Sequence, residues 1–338
     1  MEYRYIGKTG LRVSPICMGT MTFGSQCDEK EAFAIMDKAY DAGVNFYDTA
    51  EIYSVPPKKE TVGLTEEIVG RWLKTKPRDS IILATKIAGA ANGWFVPPVR
   101  HGLTAIDRFH IERAIEGSLK RLGTDYIDLY QMHWPDTVVP IEESLRAFDS
   151  LVQSGKVRYI GTSNDTAYGT SKALMTSQYE KLARFESIQN NFSLLNRRFL
   201  DELGTLARRE KISLLPYSPL AGGVLSGKYN GKKDGQGRFF TYVHAKEKRL
   251  QAMAHRFMND KTLASTQRYL KIAYDAGMDP VTMAIAWSKQ FDFVASTIIG
   301  ATSAAQLDAS LAAMDVVLSK EVLQACDAVH QDILYPMG

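Results

Sequence analysis

Eight short apolar runs alternate with segments of helical period along this chain, and that alternation restricts its fold more than any other feature. The runs are PICMG (15–19), VNFYD (44–48), IILATK (81–86), YIDLYQMH (126–133), VRYIGTS (157–163), ESIQN (186–190), ISLLPYS (212–218) and VASTIIG (294–300). Between them, Phe33, Met36, Ala39 and Tyr40 fall on one helix face, as do Ile111, Ala114, Ile115, Ser118, Leu119 and Leu122, and again Ile141, Leu145, Phe148, Leu151 and Val152. Short buried strands alternating with amphipathic helices are the pattern of βα units around a parallel sheet. Eight such units predict an α/β protein of the (β/α)8 TIM-barrel type rather than an open doubly wound sheet, and GTMTFG after the first strand lacks the glycine spacing of a dinucleotide fingerprint. Ahead of that strand, YRYI-GKTG-LRV predicts a hairpin placed to cap the barrel floor.

The chain has 338 residues, a length that α/β barrels use as one domain, so residues 1–338 are expected to form a single unit. Two long irregular stretches, 87–107 and 221–259, are expected to be functional or mobile loops. Lys plus Arg number 41 against 38 for Asp plus Glu, and the resulting +3 is too mild to suggest a nucleic-acid surface. The N-terminus carries no apolar stretch behind a basic cluster, and no run of about 18 apolar residues marks a membrane span. Cys17, Cys27 and Cys326 are odd in number and lack metal-ligand spacing. That fits free thiols in a reducing compartment, so a cytoplasmic protein with no metal site is expected.

In barrel enzymes the chemistry sits at the C-terminal ends of the strands. Asp48 ends the second predicted strand, Lys86 the third and His133 the fourth, while Tyr53 stands five residues beyond Asp48 in GVNFYDTAEIY. Adjacent strands lie about 4.8 Å apart, so groups on three consecutive strand ends can converge. A free phenol ionises near pH 10. A close ammonium stabilises the phenolate, so Lys86, held and kept charged by Asp48, would bring Tyr53 toward neutral pH and make it a general acid. His133 would orient or polarise a carbonyl beside it. Other readings stand next to these: Asp48 as the cap of a helical turn with Glu51 three residues on, Lys86 as a solvated strand end, and His133 as the anchor of the WPD turn.

GVNFYDTAEIY, ATK, RLGTDYIDLYQMHWPD, SGKVRYIGTSN, QNNFSLLNR, YSPLAGGVLSGKY and STIIGATSAAQL, in that order and over nearly the whole chain, resemble the aldo-keto reductase superfamily, and most nearly its bacterial Tas-type branch. The resemblance implies a (β/α)8 barrel, an extended NADPH and reduction of a small carbonyl substrate. It places the proton-donating tyrosine on Tyr53, its tuning pair on Lys86 and Asp48, and the carbonyl-orienting group on His133. It further implies cofactor contacts at Gly19, Thr20, Met21 and Asp48, at Ser163, Asn164 and Gln189 for the carboxamide, and at Tyr217 stacked on the nicotinamide. Ser218, Pro219, Leu220, Gly222 and Lys228 would serve the phosphates, with Gly223 beside Gly222 also allowing close backbone approach, and Arg238 would clamp a 2′-phosphate, so NADPH is preferred to NADH. A solvated, mobile loop of Lys232, Lys233 and Arg238 is the alternative. Gly300 stands where some branches carry a phosphate-binding lysine, which leaves Ser303 and Gln306 on the adenosine side, and Ala309 and Ser310 replace a frequent Glu-Asn pair.

Two other functions compete with carbonyl reduction. One is a nicotinamide-binding regulatory subunit like the potassium-channel β subunits of the same superfamily. The other is a Schiff-base aldolase with Lys86 as nucleophile. Trp94, Phe95, Trp134 and Phe192 are candidates to line an apolar substrate pocket, or to pack the loops together. Arg197 and Arg198 are candidates to meet a substrate carboxylate. The outer helix faces do not single out an oligomeric interface.

Overall fold

In the computed structural model, which describes residues 2–90, 98–232, 234–235 and 237–337, the chain opens with the expected hairpin. Strand β1 (Arg4–Tyr5) pairs antiparallel with β2 (Arg12–Val13). There follow β3 (Ile16–Gly19), α1 (Glu29–Asp41), β4 (Phe46–Asp48), α2 (Leu64–Leu73), β5 (Ile82–Ile87), α3 (Arg108–Leu122), β6 (Ile127–Met132), α4 (Ile141–Gln153), β7 (Val157–Ser163), α5 (Ala167–Glu180), β8 (Phe185–Gln189), α6 (Leu203–Glu210) and β9 (Ser213–Leu214). Helices α7 (Arg238–Tyr242), α8 (Lys248–Phe257), α9 (Asp260–Asp275) and α10 (Pro280–Lys289) precede β10 (Thr297–Ile299), and α11 (Leu307–Ala312) and α12 (Lys320–Asp332) close the chain.

Strands β3 to β10 form one eight-stranded parallel sheet in the order β10-β3-β4-β5-β6-β7-β8-β9. Each of the eight expected strands is present: Val157–Ser163 has the expected bounds, Ile82–Ile87 and Phe185–Gln189 are each displaced by one residue, and the other five are trimmed by one to five residues. The sheet curls until its outer strands meet: Leu214 N donates to Phe293 O at 2.8 Å, Ala295 N to Leu214 O at 3.1 Å and Ile298 N to Pro216 O at 2.8 Å. This is consistent with a (β/α)8 barrel.

Successive residues of a strand face opposite ways, and the two faces do different things here. Ile16, Met18, Tyr47, Leu83, Tyr130, Ile160 and Ile188 join the buried helix faces in the larger apolar core. The other face carries Cys17, Phe46, Ala84, Leu129, Leu215 and Ile298, which pack with Ile6 and Val13 of the hairpin in a second, smaller core. The hairpin is fastened by polar bonds as well: Gly7 N donates to Ser213 Oγ at 2.8 Å and Lys8 N to Glu186 Oε2 at 2.9 Å. Two residues beyond the inner apolar layer, on the same face, stand Asp48, Lys86, Gln131, Ser163 and Gln189. Parallel register aligns them, with Asp48 opposite Ala84, Lys86 opposite Gln131 and Ser163 opposite Gln189. Gly19 lets β10 approach β3, because a Cβ there would lie 2.7 Å from Ile298 Cγ2 and 2.8 Å from Ile299 O.

The outer helices start where capping chemistry permits. Asp28 accepts from Glu31 N at 2.8 Å ahead of α1, and Asp107 from His110 N at 2.8 Å ahead of α3, caps worth about 1 kcal/mol each. Gly123, at φ 62°, ends α3 in the left-handed conformation that a C-terminal glycine supplies. Residues 221–259 are not the irregular loop expected from sequence. They hold a 3₁₀ turn (Ala221–Ser226) and helices α7 and α8, whose Phe239, Phe240, Leu250 and Phe257 are buried. Gly and Lys clusters between these short helices hid them.

Candidate active site

The inner polar layer closes on itself around Lys86, whose side chain is wholly buried. Its Nζ donates to Asp48 Oδ2 at 2.6 Å and to Thr49 O at 2.7 Å, and lies 3.4 Å from Tyr53 OH. The other carboxylate oxygen of Asp48 accepts from Gln131 Nε2 at 3.1 Å and from Gln189 Nε2 at 3.0 Å. Gln189 Nε2 also reaches Gln131 Oε1 at 3.2 Å. A buried ion pair is tolerable only with its remaining valences satisfied, and these contacts satisfy them. The helix-cap reading of Asp48 and the solvated reading of Lys86 are therefore both set aside.

Electrostatics follow from this geometry. Burial pulls the Lys86 ammonium down most strongly, but Asp48 and Tyr53 together hold it above its ordinary value, so it stays charged. Burial raises the Tyr53 phenol, Lys86 opposes that rise, and Asp48 adds to it. The outcome differs from the expected shift toward neutrality: in this dry setting desolvation outweighs the one close cation. Burial, and then the charge of Lys86, push His133 well below the ordinary imidazole value and keep it neutral.

His133 leaves the end of β6 with its backbone N bonded to Ile87 O at 3.1 Å, and its ring meets Tyr53 edge to face at 5.8 Å. Trp134 stacks on the other side at 3.9 Å between ring centres. Nδ1 of His133 is buried without a hydrogen-bond partner. Asn164, at φ 55°, ties the next layer together. Its Nδ2 donates to His133 O at 2.9 Å and its Oδ1 accepts from Tyr217 OH at 2.7 Å. Ser163 Oγ donates to Gln189 O at 2.7 Å. Thr20 N and Oγ1 both reach Asp48 O at 3.0 Å, and Met21 packs with Val55, Val99 and Trp134 around Tyr53.

The structure thus brings together Asp48, Tyr53, Lys86, His133, Ser163, Asn164, Gln189 and Tyr217, with Gly19, Thr20 and Met21 beside Asp48 and Tyr53. The remaining candidates lie in two other places. In the segment after β9, Ser218, Ala221, Gly222 and Gly223 all have positive φ. A Cβ on Gly222 would meet Phe239 Cζ at 2.5 Å, so packing alone already requires glycine there. Lys228 and Arg238 have no acidic partner among the described residues. Lys228 is lowered first by burial and then by the charge of Arg238, so the two cations share one neighbourhood. After β10, Gly300 has nothing within 4 Å of a would-be Cβ. Gln306 Oε1 accepts from Thr302 N at 3.0 Å, and Glu31 Oε1 already takes Ala304 N at 2.6 Å, one residue past Ser303.

Several expectations need correcting. Phe192 is buried among Phe199, Trp287, Phe291 and Phe293, which fits the packing reading and not a lining role. Arg197 is buried, bonded to Asp327 at 2.6 Å and to Cys326 O at 2.9 Å, and fastens α12 instead of meeting a substrate. Arg198 stacks at 5.0 Å on Tyr335. Trp94, Phe95 and Lys233 lie outside the described residues. Gln131 was missed; the signal for it was a polar residue inside the otherwise apolar run IDLYQM. Glu51, read only as a capping partner, instead pairs with Arg100 through Oε2 and Nη1 at 2.7 Å.

Residues 15–331 match the model of the aldo/keto reductase family. Over 99% of both chains, the sequence is 39% identical to Protein tas of Escherichia coli (strain K12). It is 36% identical to the uncharacterized oxidoreductase YrpG of Bacillus subtilis, over 96% of this chain and 94% of that one. It is 34% identical to a probable voltage-gated potassium channel subunit beta of Oryza sativa, over 98% and 97%. The matched span includes every strand end that feeds the buried cluster around Lys86, and its extent makes the chain a member of the aldo/keto reductase family.

Proposed function

We propose that this protein reduces aldehyde or ketone carbonyls to alcohols with NADPH, on a closed barrel that residues 1–338 form as one domain. The observation that carries the reading is the placement of Lys86 Nζ, bonded to Asp48 and 3.4 Å from a phenol. When bound, the nicotinamide supplies the hydride. As the carbonyl oxygen gains negative charge, the O–H of Tyr53 gives it a proton, and Lys86 stabilises the phenolate that remains. The raised pKa of Tyr53 suits this direction, because the proton is present at neutral pH and leaves only for a developing alkoxide. Neutral His133 donates to the same oxygen and orients it.

The residues fit the cofactor. Ser163, Asn164 and Gln189 surround a site suited to a carboxamide; both hydrogens of the Gln189 amide are already engaged, so this side chain would accept through Oε1. Lys228 and Arg238 are two neighbouring cations without carboxylates, which suits a phosphate group and favours NADPH over NADH. Gly19, Thr20, Met21, Ser218, Pro219, Leu220 and Gly222 are assigned to the cofactor path with them, and Gly300, Ser303 and Gln306 to its adenosine end. The three cysteines are free, in keeping with a reducing, cytoplasmic setting. Among the described residues no helix is long and apolar enough to cross a membrane. A Schiff-base role for Lys86 is disfavoured, since Asp48 keeps the amine protonated and so poorly nucleophilic.

The test is steady-state oxidation of NADPH against a panel of aromatic and aliphatic aldehydes, with Tyr53→Phe run alongside. Turnover by the parent and loss of at least about 100-fold in the variant, with NADPH still bound, are expected. Binding of NADPH with no carbonyl reduced would favour a nicotinamide-binding regulatory subunit; the rice relative is named a probable voltage-gated potassium channel subunit beta.

A further inference from the structure

We propose that Glu51 and Arg100 act as a pair of positioning residues for Tyr53, a role that rests on Tyr53 being the proton donor. Glu51 sits two residues before Tyr53. Its backbone N donates to Lys86 O at 3.3 Å, and its Oε1 accepts from Ala88 N at 2.5 Å, so the loop bearing the phenol is stitched to the end of the strand bearing Lys86. Arg100 closes the stitch. Its Nη1 reaches Glu51 Oε2 at 2.7 Å, and its Nη2 reaches both Glu51 Oε1 at 3.0 Å and Ala88 O at 3.1 Å. The Glu51 side chain is 3% exposed and that of Arg100 is 9%, so neither charge is held by water in place of the other.

The backbone supports the same reading. Arg100 at φ 48° and His101 at φ 58° are left-handed without being glycine, a conformation retained only where surroundings enforce it and one that gathers at functional sites. Val99, the residue before, packs in the apolar cluster of Ile52, Tyr53 and Ala88. The turn is thus bound to the Tyr53 loop by ionic and apolar contacts together. Among the described residues the Tyr53 hydroxyl has Lys86 as its hydrogen-bond partner, so its place depends on how firmly its backbone is held. Because Arg100 is spent on Glu51, it carries no free charge toward a substrate. It acts through Tyr53.

The experiment measures kcat at saturating NADPH, NADPH affinity by fluorescence quenching and thermal midpoint for Glu51→Gln, Arg100→Met, the double variant and Arg100→Met in the Tyr53→Phe background. Each single change is expected to lower kcat about 10- to 100-fold, as small misplacements of a catalytic group do, with NADPH affinity within about threefold of the parent. The double variant is expected to be no worse than the worse single one, and Arg100→Met to add no loss once Tyr53 is Phe. Folded single variants with parental kcat, or losses that multiply, would overturn the pairing. Arg100→Lys decides the matter if the others fail to fold: lysine cannot hold two carboxylate oxygens and Ala88 O together, so a kcat within about twofold of the parent would overturn it too. An inactive parent would instead remove the reading of Tyr53, and this role with it.

Discussion

The inner polar layer and the segment after β9 both carry cations, yet they are built on opposite principles. Lys86 lies in a closed network in which Asp48, Thr49, Gln131 and Gln189 account for nearly every valence before any ligand arrives. Lys228 and Arg238 stand near one another with no carboxylate, so their mutual repulsion is unrelieved by the described residues. The first arrangement holds a charge ready for a reaction at no reorganisation cost. The second holds charge for a ligand to neutralise. Charge in a protein is therefore informative according to whether its partner is already present.

The comparison breaks most sharply at Lys86. Replacing Lys86 by Met leaves Asp48 buried without its cation, and a stability loss of about 3–5 kcal/mol in urea unfolding is expected alongside loss of turnover. A loss below about 1 kcal/mol would mean that water reaches Asp48 and that the inner layer is not closed. Arg238→Ala tests the other region. Its stability should be near that of the parent, while NADPH affinity falls about 10- to 100-fold and NADH affinity barely moves. Equal effects on both cofactors would take Arg238 away from a 2′-phosphate.

The smallest effect concerns pH. His133 is held below its ordinary value of 6.5 by burial and by Lys86, so the unfolded chain binds its proton first. Its contribution is fully present above about pH 6.5 and is lost as pH falls through that value, by at most about 1.4 kcal/mol per pH unit. Thermal midpoints of the parent should fall faster than those of His133→Asn between neutral pH and about pH 5. Parallel curves would show that His133 titrates as a solvated group.

The regular pattern explains why much of this was legible. Apolar periodicity is local, so eight strands and the helices α1, α3 and α4 could be read directly. Helix α5 was harder, because its buried face is Thr170, Ala173, Leu174 and Ser177 while Tyr168, Met175 and Tyr179 are exposed, which inverts the usual contrast. Asp48, Lys86 and His133 were legible for a similar reason: a polar group closing an apolar run stands out, and Tyr53 follows Asp48 in the same stretch. Aromatic residues were misleading. Phe192 and Trp134 look alike along the chain, yet one lies in the core and the other is stacked on His133.

By itself, then, the sequence determined the order and type of the sheet's strands and placed Asp48, Lys86 and His133 at strand ends with Tyr53 in the loop after Asp48, because both depend on spacing along the chain. Tertiary structure decided which polar groups were spent on one another: Gln131 and Gln189 on Asp48, Arg100 on Glu51 and Arg197 on Asp327. Those pairs join residues from 49 to 141 positions apart. Their existence depends on strand register and loop closure, which no local period encodes. The same closure removed the water that would have hydrated the phenolate, so desolvation, opposed by Lys86, raised Tyr53 above its ordinary value.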